Sequence, residues 1–223
     1  MVPRREHQGM MKTLTIGENR RVAGSLNTIE SIRNVKRKYG WCFVAALLAG
    51  AAWAGVGNEA HGPSQNIADR LREAAGAEIG LIAAGMIRED GTASDLSTYL
   101  RFKTDEIAVM DLKGSQIKAA LEKSVTLYPD PYDSFLQVSN LEVSFNKKGM
   151  PESRITGITV EGEKLNESRT YTVAMPATMA RGVLGFFKVW KKEQIKRTLA
   201  GVTMESLLAG KAAKETPSRW KAQ

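Results

Sequence analysis

Ile79-Gly-Leu-Ile-Ala-Ala-Gly-Met-Ile-Arg88 is an apolar run that ends in a glycine turn and a single arginine. Upstream, Ile67, Leu71, Ala74 and Ala75 recur at helical spacing with Arg70, Arg72 and Glu73 between them, Pro63-Ser64 opens the pattern and Gly76 closes it. The change from a 3.6-residue period to a continuous apolar stretch predicts a helix, capped by Ser64, that feeds a buried central strand over Ile79 to Ile87. The strand aims its terminal cation, Arg88, into whatever cleft lies at its end.

Working outward, Thr92 to Tyr99 reads as a short helix capped by Thr92 or Ser94. Glu106 to Leu112 alternates as a strand. Gly114-Ser115 begins an amphipathic helix over Gln116 to Leu127, with Ile117, Ala120, Leu121 and Val125 inward and Ser115 as its cap. Tyr128-Pro-Asp-Pro-Tyr-Asp133 is rich in turn residues. Gln137 to Asn146 alternates, with Val138, Leu141, Val143 and Phe145 apolar and a slip at Asn140, and Lys147-Lys-Gly149 closes it as a turn. Ile155 to Val160 and Thr170 to Met175 are further strands on either side of Gly162-Glu163. Ile195 to Ala213 has a helical composition, and Pro217 opens a frayed end. The expected class is α+β: a mixed sheet with flanking helices, without a repeat or a second domain.

The order of these motifs resembles the C-terminal, substrate-binding domain of the 5'-nucleotidase family. The resemblance runs from about Ser64 to Val189. It is carried by Ile79 to Arg88, Leu96 to Phe102, Asp111-Leu-Lys-Gly-Ser-Gln-Ile-Lys-Ala-Ala-Leu-Glu122, Phe135-Leu-Gln-Val-Ser-Asn140, and Tyr171-Thr-Val-Ala-Met-Pro176 through Gly185-Phe186. Together with the composition of the flanking segments, it gives an expected division into a signal-peptide region over 1–54, a linker over 55–62, a 5'-nucleotidase C-terminal-like domain over 63–195 and a basic helical tail over 196–223.

Charge and compartment agree with that division. The formal net charge is +8, but residues 55–187 hold 14 Lys and Arg against 18 Asp and Glu, and the excess sits in residues 1–54 and 188–223. A slightly acidic body with basic ends is a poor nucleic-acid binder. Lys36-Arg-Lys38 precedes the apolar run Trp41 to Ala54, which is too short to span a bilayer and ends in the small-x-small pattern Ala52-Trp53-Ala54. The expectation is an exported, periplasmic or extracellular protein with no stable membrane span after cleavage. The long polar stretch ahead of the basic flank suggests a start nearer Met11 or Val35. The lone cysteine, Cys42, lies inside the apolar run, so the mature chain has no disulfide.

The resemblance also says which groups to look for. The family's metal-dependent hydrolysis uses several His, Asp and Asn ligands on a separate N-terminal domain, whereas the mature chain has one histidine, His61, read as an exposed loop residue. No metal or cofactor is expected. On the substrate side the resemblance assigns phosphate recognition to Arg88 and base stacking to Phe102, for which a planar cation and a π face are the chemical needs. The competing readings are a surface ion pair of Arg88 with Glu89 or Asp90, and an ordinary core position for Phe102. The remaining positions depart from the family pattern: Ala83 replaces the turn asparagine, the position near Pro63 lacks the family's second arginine, Thr178 replaces the second ring, and Leu184 replaces an acidic residue. Ser115-Gln-Ile-Lys118 matches a Ser-x-x-Lys pattern without its companion elements, and Asp130 to Asp133 lacks the spacing of a calcium loop. The resulting expectation is a domain tied to nucleotide catabolism, with a degenerate nucleotide site and no activity by itself. It would be partnered by a separately encoded metallophosphatase chain or by a nucleotide or other phosphorylated small molecule. The alternatives are a binding module without turnover and a structural envelope or partner-contact domain.

Overall fold

A computed structural model describes residues 55–223. The expected signal-peptide region and Cys42 lie outside the described residues. The fold is α+β, with two sheets of mixed strand direction.

The first helix, α1 (Gly62–Ala75), buries Ile67, Ala68, Leu71 and Ala75 along one face and stops at Gly76, whose φ of 57° is left-handed. His61, not Ser64, precedes the first turn; Ser64 is buried inside the helix, because Pro63 already suits the helix start. The chain then enters β1 (Ile79–Ala83), buried at every position. Here α1 lies unusually close to β1, since a Cβ on Gly80 would stand 2.2 Å from the Ala68 carbonyl oxygen. The apolar run leaves the strand at Ala84–Met86, a single 3₁₀ turn.

Next come β2 (Glu106–Lys113) and α2 (Gly114–Ser124), whose inward residues Ile117, Ala120 and Leu121, with the following Val125, are fully buried as their spacing predicts. Ser115 lies within α2 and Lys113 precedes it. The short helix expected over Thr92 to Tyr99 is a 3₁₀ turn over Leu96–Tyr99, capped by the Asp95 side chain, which accepts from the Ser97 N–H. A carboxylate one residue before the turn caps it better than the hydroxyls farther back.

The alternating stretch belongs to two strands in two different sheets. β3 (Leu136–Ser139) joins the first sheet and β4 (Leu141–Phe145) the second, with Asn140 between them at φ 61°. The slip in the hydrophobic alternation marks that change of sheet. β5 (Ile155–Val160), β6 (Glu163–Lys164) and β7 (Thr170–Pro176) follow, then the short helix α3 (Ala177–Ala180).

The C-terminal region differs from its expected helical form. Ile195–Thr203 is strand β8, followed by one helical turn, α4 (Met204–Leu208), and by β9 (Trp220–Ala222) in place of a frayed end. β8 lies at the edge of its sheet with most of its residues at least partly exposed, so its charged and small residues carry no apolar period that separates it from a surface helix. β9 pairs with β4, and Trp220 is buried.

The five-stranded sheet has the order β3-β1-β7-β2-β8 and the four-stranded one β6-β5-β4-β9. β1 and β7 are parallel, while β1 with β3, β2 with β7, and β2 with β8 are antiparallel. Residues 55–61 dock onto this frame through Gln137, whose amide donates to the carbonyls of Val56 at 2.9 Å and Glu59 at 2.7 Å. Among the described residues no helix is long and apolar enough to cross a membrane.

Candidate functional site

Strand direction brings the loops of interest to one end of the five-stranded sheet. The C-terminal ends of parallel β1 and β7 fall there, as do the N-terminal ends of antiparallel β2 and β3. Arg88 follows β1, Phe102 precedes β2, Tyr132 and Asp133 precede β3, and Thr178 and Leu184 follow β7. Ligands of open α/β sheets sit in such crevices beyond the carboxyl ends of strands.

A cavity of about 870 Å³ opens at this end, lined by Val56, Gly57, Ala84 and Pro131 and by Arg88, Glu89, Asp90, Arg101, Tyr132 and Asp133. Its size suits a nucleotide-sized molecule. Ala84, at the start of the Ala84–Met86 turn, is part of its wall. A Cβ on Gly85 would stand 3.0 Å from Asp133 Cβ and 3.1 Å from Leu184 Cδ1, so only glycine lets the two loops close over the turn without a shift.

Arg88 reaches the cavity because its N–H donates to the Tyr99 carbonyl at 2.7 Å, beside an isolated bridge between Ile87 and Leu100. Its guanidinium is half exposed and bonded to Asp90, Nε to Oδ1 at 2.9 Å and Nη2 to Oδ2 at 2.7 Å. The hydrogen bonds raise the Arg88 pKa and lower that of Asp90. The cavity position expected of Arg88 and the competing surface ion pair are therefore both present.

Phe102 shares this end of the sheet but is absent from the cavity lining, and at 51% exposure it is no core residue. The turn that holds it, Phe102 to Asp105, is bonded to the loop after β7: the Asp105 carboxylate accepts from the Thr178 N–H at 3.2 and 3.1 Å. Of the departures from the family pattern, Ala83 is sealed within β1, Pro63 lies in the first turn of α1, and Leu184, at φ 56°, covers Gly85.

Two cavity residues escaped sequence reasoning. Arg101 folds back so that its Nε donates to the Ile87 carbonyl at 2.7 Å while its N–H donates to Met86 at 3.0 Å. No spacing in the sequence marks a residue whose place comes from pairing across the Ile87–Leu100 bridge. Tyr132 accepts from Lys123 Nζ at 2.8 Å, and that ammonium lies 5.1 Å from the Tyr132 ring centroid and 5.7 Å from that of Phe186. The hydrogen bond from Lys123 lowers the Tyr132 pKa. A turn-rich segment gives no hint of this, because Lys123 comes from α2.

His61 is half-buried, not an open loop residue. Its Nδ1 lies 2.7 Å from Ser64 Oγ and its ring meets Tyr99 edge-on at 5.6 Å. Burial lowers its pKa, with Glu89 pulling the other way. The Ser-x-x-Lys pattern is not assembled as a dyad, since Lys118 is bound to Glu167 at 2.7 Å. Among the described residues no group of three or more His, Cys, Asp and Glu side chains is placed to hold a metal ion.

The profile of the 5'-nucleotidase C-terminal domain matches residues 55–192. The chain belongs to that family. Over 123 residues it is 32% identical to a 5'-nucleotidase-related protein of Glossina morsitans morsitans, a match that covers 49% of this chain and 22% of that protein. Over 127 residues it is 31% identical to the trifunctional nucleotide phosphoesterase protein YfkN of Bacillus subtilis (strain 168), covering 52% of this chain and 9% of that one. The chain thus spans a minor part of these relatives' length. Among solved structures, the 5'-nucleotidase precursor of Thermus thermophilus superposes with a TM-score of 0.64 at 28% identity, covering 75% of this chain and 36% of that chain. The NAD nucleotidase of Haemophilus influenzae, with a TM-score of 0.57 at 19% identity over 76% of this chain and 36% of its own, shares the fold.

Proposed function

We propose that this chain is an exported, substrate-side domain that recognises a nucleotide or related phosphorylated small molecule and leaves hydrolysis to a metallophosphatase partner. The observation that carries the reading is Arg88: it closes the run that begins with an interior strand of a 5'-nucleotidase C-terminal domain, and it lines a cavity of about 870 Å³. Tyr132 lines the same cavity and offers an aromatic surface, and Phe102 stands exposed at the same sheet end for a partner or a base to cover. The site is reduced relative to the family: Ala83 and Leu184 supply no side chain for polar recognition, and Thr178 offers a hydroxyl but no ring on which a base can stack. Loss of one stacking face weakens base binding by about 1–3 kcal/mol on the scale of single-strand stacking.

Calorimetric titration of the full chain with AMP, adenosine and ribose 5-phosphate tests the binding half, with Arg88→Ala alongside. Heat with AMP and ribose 5-phosphate that weakens in the variant is expected; no heat at millimolar ligand rejects it. Metal-dependent phosphatase activity in the isolated chain overturns the division of labour. Export is tested by sequencing the mature protein, with Gly55 expected at its N-terminus and an intact Trp41 to Ala54 run as the contrary result.

A further inference from the structure

Arg88 and Arg101 line one cavity but are engaged differently. Arg88 meets Asp90 through two hydrogen bonds, the fork-to-fork geometry by which a guanidinium receives carboxylate or phosphate oxygens. Asp90 therefore covers the edge of Arg88 that an anionic ligand needs. Arg101 has its Nε fixed on the Ile87 carbonyl, which orients the guanidinium, and among the described residues it makes no ion pair, so its terminal nitrogens keep their donors.

The charge on the lining limits what can enter. Arg88 and Arg101 face three carboxylates, Glu89, Asp90 and Asp133, which leaves one negative charge in excess. An anion that merely adds to this set is repelled, whereas one that displaces Asp90 from Arg88 replaces a contact already present. Resting on the reading of the cavity as a phosphorylated-ligand site, we propose that Arg101 is its primary anion-binding residue and that Asp90 is a built-in competitor that restricts the ligand to a dianionic phosphomonoester. A single carboxylate offers Arg88 nothing that Asp90 does not supply without the cost of association. A phosphomonoester brings close to two charges and three acceptor oxygens, enough to occupy the open donors of Arg101 and to draw Arg88 away from Asp90.

The test compares the full chain with its Asp90→Asn and Arg101→Gln variants, titrated with AMP, inorganic phosphate, acetate and adenosine, with circular-dichroism melting as a check on folding. Asp90→Asn should tighten AMP and phosphate up to about five-fold, the range of a surface ion pair, and leave adenosine unchanged. Arg101→Gln should weaken AMP by about ten-fold or more, as expected for loss of a charged hydrogen-bond donor. Acetate should not bind the unaltered chain. If AMP binds the unaltered chain and either variant matches it, this inference falls and the proposed function stands. If no phosphorylated probe binds the unaltered chain or Asp90→Asn, both fall. Binding by Asp90→Asn alone also overturns both, because Asp90 would then exclude the phosphomonoester instead of selecting it, and should Arg101→Gln fail to fold, the Asp90 comparison decides the matter.

Discussion

The Trp220 indole donates its Nε1–H to the Leu136 carbonyl at 2.8 Å, and so links the last strand of one sheet to an edge strand of the other. The Trp220 ring lies 4.7 Å from that of Phe135 and 5.9 Å from that of Phe145, and it is buried. Trp220→Ala removes this packing and leaves a buried carbonyl unpaired. Urea unfolding should show a loss of roughly 3–5 kcal/mol, the usual cost of truncating a buried aromatic residue. A loss below about 1 kcal/mol would show that the C-terminal strand is dispensable.

His61 should make stability depend on pH in a definite direction. Burial lowers its folded pKa below the 6.5 of the unfolded chain, so the folded state keeps the imidazole neutral while the unfolded state takes up a proton. Stability from this group is full above pH 6.5 and falls as the pH drops from there through the lowered folded value. His61→Gln should flatten that part of the stability profile, measured by denaturant titration at stepped pH. An unchanged slope in the variant would assign the effect to other groups.

At Gly80 a methyl group has nowhere to go, because its Cβ would meet the Ala68 carbonyl at 2.2 Å, along with the Arg72 and Ser139 side chains at 3.0 Å. Backbone oxygen cannot rotate aside, so Gly80→Ala must push α1 off β1. The expected cost is about 1–3 kcal/mol, read as a lowered midpoint in thermal or urea unfolding. A neutral substitution would show that α1 shifts freely on the sheet.

Lys123 holds the Tyr132 phenol below its ordinary pKa through the 2.8 Å hydrogen bond. In Lys123→Met, tyrosinate absorbance should show one residue titrating at a higher pH than in the unaltered chain. Tyr132→Phe should remove that component and so identify it. A titration curve that Lys123→Met leaves unmoved would rule out the contact in solution.

Part of the first sheet was legible because β1 and β3 are buried on both faces. The continuous run over Ile79 to Ile87 and the inward set Ile117, Ala120, Leu121 and Val125 record their burial directly in sequence. Ile195–Thr203 was not legible, since an edge strand is defined by backbone pairing to β2 and its exposed side chains carry no such record. The same distinction runs through the site. Arg88 could be placed at the sheet end because it closes the apolar run that begins with β1. Arg101 and Lys123 take their places through a carbonyl and a phenol brought near by folding, and such partners leave no local spacing to read.

Asn140 carries the chain from one sheet into the next within a single residue, with its Nδ2 donating to the Glu78 carbonyl at 2.7 Å. A connection that short has no slack to absorb a change in length. One residue inserted beside it would turn Leu141, Val143 and Phe145 outward, or slide Leu136 to Ser139 along β1, because strand side chains alternate with a period of two. Substitutions can accumulate on either side of this pivot, but variation in length has to be taken up in turns such as Lys147 to Pro151, where the count of residues is not shared by two sheets.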